Sequence, residues 1–261
     1  MTKIEWTGIT WNPVTGCTKV SEGCRNCYAE RMANGLLRGR HGYPADEPFR
    51  VTIHEDRLHE PEGYPKGERV FVCSMGDLFH VQVPERVQRQ VWKMAESRPD
   101  LTFQVLTKRA ERMRRVVSNL CDVYGVLENV WLGVTVENGA AADERILPLL
   151  DTPAAVRFLS CEPLLVPLHL CDVYRGYLRP LQRDAPGAPV VSPGIDWLII
   201  GCESGPKRRP CEMEWVRDLI GQAYVADVSV FVKQLDIDGK VSKEPDEWPE
   251  WARRREFPET Q

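Results

Sequence analysis

Residues 130–136 read VWLGVTV, with no charged side chain and no alternation of polar and apolar positions. A strand with one wet face alternates, so near-continuous apolarity marks a strand buried on both faces, as in a parallel sheet. The same signature recurs at Val70–Cys73 (VFVC), Thr102–Leu106 (TFQVL), Val156–Ser160 (VRFLS), Trp197–Cys202 (WLIIGC) and Val228–Val232 (VSVFV), with a shorter candidate at Trp6–Trp11. Helical patterns lie between these runs. Pro84 opens PERVQRQVWKMAES, with Val87, Val91 and Met94 on one face. Further stripes are Met113, Val116, Val117 and Leu120; then Ile146, Leu147 and Leu150; then Trp215, Leu219, Ile220 and Ala223. Strand–helix alternation predicts βα units with right-handed crossovers. The expected fold is α/β, a parallel (β/α) partial or complete TIM-type barrel of about six to seven strands with loop insertions.

The chain has 261 residues, which suits one such barrel better than two domains. Residues 1–240 are expected to form it, with insertions near 38–67 and 166–195 where Gly and Pro accumulate, and a short strand near Phe49–Ile53. Residues 241–261 form a polar, aromatic C-terminal tail. Apolar residues make up 43% of the chain, enough for a sizeable core. The net charge of −4 argues against binding nucleic acid by bulk charge but leaves room for a local basic groove. The N-terminus lacks an apolar leader core, and no apolar run reaches the length of a membrane span. A soluble cytoplasmic protein is expected, with no membrane partner. The nine cysteines are then read as metal ligands or buried thiols rather than disulfides.

Chemistry in parallel α/β folds gathers at the carboxyl ends of the strands. Here each end carries polar side chains: Ser74, Asp77 and His80; Thr107, Lys108 and Arg109; Glu137 and Asn138; Cys161 and Glu162; Glu203 and Ser204; Lys233 and Gln234. Asp77, Lys108, Glu137, Glu162, Glu203 and Lys233 are expected to converge on one cavity. Any one of them could equally be a solvated loop residue, but buried carboxylates facing buried lysines are costly unless they bind one another or a ligand.

The segment Gly16–Ala33, GCTKVSEGCRNCYAERMA, places Cys17, Cys24 and Cys27 between the first strand and the first helix. Cys24 and Cys27 make a zinc half-site that Cys17 and a distant Cys73, Cys161, Cys202 or His80 would complete. Three thiolates in one loop can also hold three irons of a [4Fe–4S] cluster, leaving the fourth iron open. Position at the mouth of the expected barrel favours the cluster over a structural staple.

Trp11–Cys17 (WNPVTGC) followed by Cys24–Arg31 (CRNCYAER) resembles radical S-adenosylmethionine (SAM) enzymes, in the branch around spore photoproduct lyase. The first gap is six residues rather than the usual three, and the aromatic Tyr28 follows the last cysteine instead of preceding it. GVTVEN, SCEPLL, IIGCESG and FVKQ extend the resemblance along most of the chain, to a phage and bacterial family with a three-cysteine motif. The resemblance implies that Cys17, Cys24 and Cys27 hold a [4Fe–4S] cluster and that SAM binds the open iron, with an external reductant. It implies SAM contacts from Ser74 and Asp77 (amino group), Lys108 or Arg109 (carboxylate) and Glu137 (ribose). Glu162, Glu203, Lys233 and Gln234 would face substrate. Cys161 and Cys202 would be buried thiols or hydrogen-atom donors. An ion pair between Glu203 and Lys233 is the structural alternative for those two.

The basic runs Lys207–Arg209 and Arg253–Arg255, the latter beside Trp248 and Trp251, resemble a charge-plus-stacking arrangement for nucleic acid. Arg109, Arg112, Arg114 and Arg115 are further candidates, or simply a solvated helix face. With the kinship to a DNA-lesion enzyme, the expected substrate is DNA, RNA or a nucleotide. The alternatives are a zinc-stapled nucleic-acid-binding protein without catalysis, and a radical SAM enzyme acting on a peptide or small metabolite.

Overall fold

The computed structural model describes residues 4–170 and 194–259. In chain order the elements are β1 (Ile9–Trp11), β2 (Val14–Thr15), α1 (Tyr28–Asn34), β3 (Thr52–Ile53), β4 (Arg69–Val72), α2 (Glu85–Ser97), β5 (Thr102–Thr107), α3 (Ala110–Tyr124), β6 (Val130–Thr135), α4 (Gly139–Leu150), β7 (Val156–Cys161), β8 (Trp197–Gly201), α5 (Met213–Val225), β9 (Ser229–Ile237) and β10 (Lys240–Ser242). The main sheet has eight strands in the order β1-β4-β5-β6-β7-β8-β9-β10. The pairings β1–β4, β4–β5, β7–β8 and β8–β9 are parallel, and β9–β10 is antiparallel. A mostly parallel sheet with strands in chain order and interleaved helices is the α/β topology of a partial TIM-type barrel. Among the described residues, no helix is long and apolar enough to cross a membrane. The insertion expected near 166–195 lies outside the described residues from 171 to 193.

The chain forms two compact units, Met1–Gly133 with Thr152–Ala155, and Val134–Asp151 with Val156–Gln261. In the first, Trp11 and Phe103 pack edge to face at 5.9 Å. Both helices bury the expected stripes, Val87, Val91 and Met94 on one and Met113, Val116, Val117 and Leu120 on the other. Gly125, at φ 71°, ends α3 by donating its N–H to the Cys121 carbonyl at 2.9 Å. The segment 38–67 is tied down by a two-residue sheet between β2 and β3. His54 bridges it to Thr15 (2.8 Å), and the Trp11 indole N–H donates to the Arg57 carbonyl (2.7 Å).

In the second unit every residue of β7 and β8 is buried. Asn138 caps α4 by accepting from the Ala141 N–H at 2.9 Å. The stripe of α4 is Ala142, Ile146 and Leu149 rather than one containing Leu147, which is exposed. That of α5 is Val216, Leu219 and Ala223, with Trp215 at the margin. Asp238 and Gly239, at φ 48° and 73°, form the two-residue turn that brings β10 back onto β9. The chain then packs against β9, with the Val232 N–H donating to the Arg254 carbonyl (2.8 Å) and the Glu256 N–H to the Val230 carbonyl (2.9 Å).

Candidate functional site

In the first unit the cysteine segment lies against the turn that follows β4. Asn12 Oδ1 accepts from the Met75 N–H (2.9 Å) and the Ser74 hydroxyl (3.2 Å), and the Tyr28 hydroxyl donates to the Ser74 carbonyl. Gly16 and Gly76 let the two backbones touch. The Gly16 N–H donates to the Met75 carbonyl at 2.9 Å, and a Cβ on Gly76 would stand 2.9 Å from the Val14 carbonyl oxygen. Gly16 itself has φ +80°, and a Cβ there would lie 2.1 Å from the Arg50 carbonyl oxygen. Gly16→Ala is therefore expected to cost more than about 2 kcal/mol, since left-handed backbone alone costs an alanine about 1–2. Urea denaturation measures it, and a loss under about 0.5 kcal/mol would contradict this packing.

Asp77 is buried and saturated with donors. Its Oδ1 accepts from the Phe79 N–H (2.9 Å), the Thr107 hydroxyl straddles both oxygens (2.8 and 2.9 Å), and Arg109 Nη1 reaches Oδ2 at 2.7 Å. The same Nη1 lies 3.3 Å from Cys17 Sγ, while Nη2 donates to the Thr18 carbonyl (3.0 Å) and hydroxyl (3.1 Å). His80 meets that hydroxyl through Nε2 at 2.9 Å and accepts the Gln82 N–H at Nδ1 (3.2 Å). An accepting Nδ1 leaves Nε2 as the donor, so the ring is neutral. Burial and the Arg109 charge both hold its pKa low.

Burial pushes the Cys17 and Cys27 thiols up, with Asp77 adding at Cys17. Arg109 opposes this at Cys17; the N–H groups of Glu30 and Ala29 and the charge of Lys108 oppose it at Cys27. Cys24 adds a small electrostatic push in the same direction at both thiols. A cavity of about 450 Å³ opens beside Cys17, its lining including Thr18, Glu47, Phe49 and Arg50. Among the described residues, no three His, Cys, Asp or Glu side chains are gathered closely enough to hold a single metal ion.

Among the described residues of the second unit, the strand-end acids Glu137, Glu162 and Glu203 are each paired with a base. Glu137 and Arg145, at 0% and 1% side-chain exposure, pair at 2.8 Å, and Arg145 Nη1 also donates to the Thr135 carbonyl at 2.8 Å. Glu162 and Lys233 pair at 2.5 Å and keep partial solvent access. Glu203 is bound by Arg209 through its backbone N–H (2.8 Å), Nε (3.0 Å) and Nη2 (2.5 Å). The alternative ion pair between Glu203 and Lys233 is not formed: Lys233 pairs with Glu162 and Arg209 with Glu203. Gln234 donates to the Cys202 carbonyl at 2.7 Å. Cys161 and Cys202 are fully buried. Burial, then Glu137, raises the Cys161 thiol, and burial, with Cys211, Glu162 and Asp236 adding, pushes Cys202 up to about 12. Both stay protonated at neutral pH.

A protein-family model described as "Protein of unknown function (DUF5131)" matches residues 1–247. The chain belongs to the DUF5131 family. Among curated proteins none matches it. Solved structures of spore photoproduct lyase are similar to it. The lyase complexed with dinucleoside spore photoproduct aligns over 74% of this chain and 55% of its own, at TM-score 0.48 and 11% identity. A mutant lyase with bound AdoMet and dinucleoside spore photoproduct aligns over 59% and 45%, at TM-score 0.41 and 12% identity. The DUF5131 chain spans about half the length of these lyases.

Of the two tryptophans expected to stack beside Arg253–Arg255, Trp251 is half-buried with Arg217 5.8 Å from its ring centre, the three arginines are exposed, and only Trp248 is withdrawn from the surface. Trp248 is buried, its indole N–H donating to the Ser242 hydroxyl at 3.0 Å, and Arg255 lies 5.5 Å from the ring centres of both Trp248 and Phe231. Arg209 is committed to Glu203, and Arg112 donates to the Val83 carbonyl at 2.8 Å. Sequence reasoning missed Arg145, Asn12 and Thr18, and placed Thr107 at a strand end without a role. Arg145 could have been found, because a cation on the apolar stripe of a helix needs a buried acid.

Proposed function

We propose that this protein is a radical SAM enzyme whose [4Fe–4S] cluster is held by Cys17, Cys24 and Cys27, acting on a nucleobase or nucleotide. The observation that carries the reading is what surrounds the three thiols. They are free and half-buried on one loop, Cys17 lining a cavity, with a guanidinium 3.3 Å from Cys17 Sγ and N–H donors and Lys108 acting at Cys27. Those donors and cations favour anionic sulfur, against burial at both thiols and Asp77 at Cys17, which outweigh them in the unloaded chain. A cluster also asks less than a zinc staple does of the spacing between thiols, because each cysteine binds its own iron. The donor set therefore fits the cluster. When bound, cluster and SAM supply a 5′-deoxyadenosyl radical able to abstract hydrogen from an unactivated C–H bond.

The chain's own contribution is positioning. Asn12 and Tyr28 hold the Ser74–Asp77 turn against the cysteine loop, and Asp77 fixes Arg109. A cavity of about 450 Å³ is of small-ligand size, and its lining offers an occupant the aromatic Phe49 and groups of both charges, Glu47 and Arg50. In the second unit we assign Glu162 and Lys233 to substrate, since they keep solvent access, and Glu137 to a structural role with Arg145. Protonated Cys161 and Cys202 retain an S–H hydrogen for a substrate radical. A cytoplasm suits the free state of every described cysteine. The test compares 5′-deoxyadenosine formation, with a low-potential reductant, in the presence and absence of DNA, tRNA and free nucleotides. Severalfold stimulation by one of these is expected; stimulation by peptides or small metabolites alone would overturn the substrate class.

A further inference from the structure

We infer that Arg109 is a built-in hydrogen-bond donor to the Cys17 sulfur, and that through it the protein sets the reduction potential of the cluster; this rests on the cofactor reading above. Both terminal nitrogens of the guanidinium are held. Nη1 is shared between Asp77 Oδ2 (2.7 Å) and Cys17 Sγ (3.3 Å), and Nη2 between the Thr18 carbonyl (3.0 Å) and hydroxyl (3.1 Å). The backbone of Arg109 is fixed as well, its N–H donating to Thr107 Oγ1 at 2.9 Å. The acceptors are themselves held: Asp77 by Phe79 and Thr107, and Thr18 by neutral His80. Arg109 and Asp77 retain 13% and 7% side-chain exposure, so their field is weakly screened.

An ion pair alone would need only Asp77. Here the same nitrogen reaches across 92 residues of sequence to a cysteine. Reduction adds negative charge to a cluster, and hydrogen bonds and cations at its sulfurs favour that state. Loss of Arg109 would also leave the Asp77 carboxylate uncompensated near Cys17. Both changes make reduction harder. Arg109 is on this reading a positioning and tuning residue, not a catalytic one.

The measurement is a redox titration of the anaerobically reconstituted chain without SAM, followed by electron paramagnetic resonance. Arg109→Ala is expected to lower the equilibrium constant for one-electron reduction by about tenfold or more, a fall of about 59 mV per tenfold. Arg109→Lys, which keeps the charge, is expected to recover most of it. A cluster that forms in both chains and titrates within about twofold overturns the inference. If Arg109→Ala takes up no cluster, Arg109→Gln decides, since it keeps a donor and loses the charge: a lowered potential supports the inference and an unchanged one overturns it. An unaltered chain that takes up no cluster overturns the cofactor reading itself, and this inference with it.

Discussion

Cys24→Ala is expected to leave the chain unable to take up iron and sulfide and unable to form 5′-deoxyadenosine, with its fold intact. Cys24 is the middle of the three cysteines in the loop, between Cys17 and Cys27. A three-thiolate site that loses its middle member keeps too few ligands for a stable cluster with an open iron. The structural cost is small. The side chain is half-buried at the end of a single turn, Glu22–Cys24, and the turn's own bond, from the Cys24 N–H to the Ser21 carbonyl at 3.0 Å, survives the substitution. The change in unfolding free energy should stay within about 1 kcal/mol. Cys121→Ala, on α3, is the matched control and should leave iron content unchanged. Iron and sulfide analysis with chemical denaturation checks both statements; SAM cleavage surviving in Cys24→Ala would remove this residue from the ligand set.

Arg145→Met is expected to destabilise the chain by about 3–5 kcal/mol. The substitution removes the cation 2.8 Å from the Glu137 carboxylate and the donor to the Thr135 carbonyl, where neither side chain exceeds 1% exposure. Water cannot take the place of Arg145 at such depth. Glu137→Gln should lose less, because the amide still accepts from Arg145. Combining Arg145→Met with Glu137→Leu should recover part of the single loss, since the pair then leaves together. The coupling should change little with salt, as expected for a pair shielded from solvent. A single-variant loss below about 1 kcal/mol in urea denaturation would contradict the burial of this pair.

The strands were legible because burial on both faces leaves a one-dimensional trace: VWLGVTV contains β6, and all six residues of that strand are buried. The hairpin to β10 was missed although Asp238–Gly239 is its ordinary signal, because a three-residue strand is too short to show a period. The stripe of α5 slipped from Val216 to Trp215 because a large aromatic beside a β-branched residue carries more apparent hydrophobicity than its margin position uses. At the site, residue types at strand ends could be read, since strands end where polarity begins. Pairings could not. Glu162 meets Lys233 across 71 residues and Asp77 meets Arg109 across 32, distances over which sequence spacing says nothing about contact. Trp248 shows the same limit: an aromatic beside a basic run reads alike whether it stacks outward on a base or packs inward under Arg255.

The central claim concerns what Cys17, Cys24 and Cys27 hold, and anaerobic reconstitution with iron and sulfide tests it most directly. The expected result is a brown chain with the broad visible absorption of a [4Fe–4S] cluster, which on reduction in the presence of SAM forms 5′-deoxyadenosine. A colourless chain that instead binds stoichiometric zinc and leaves SAM intact would contradict it.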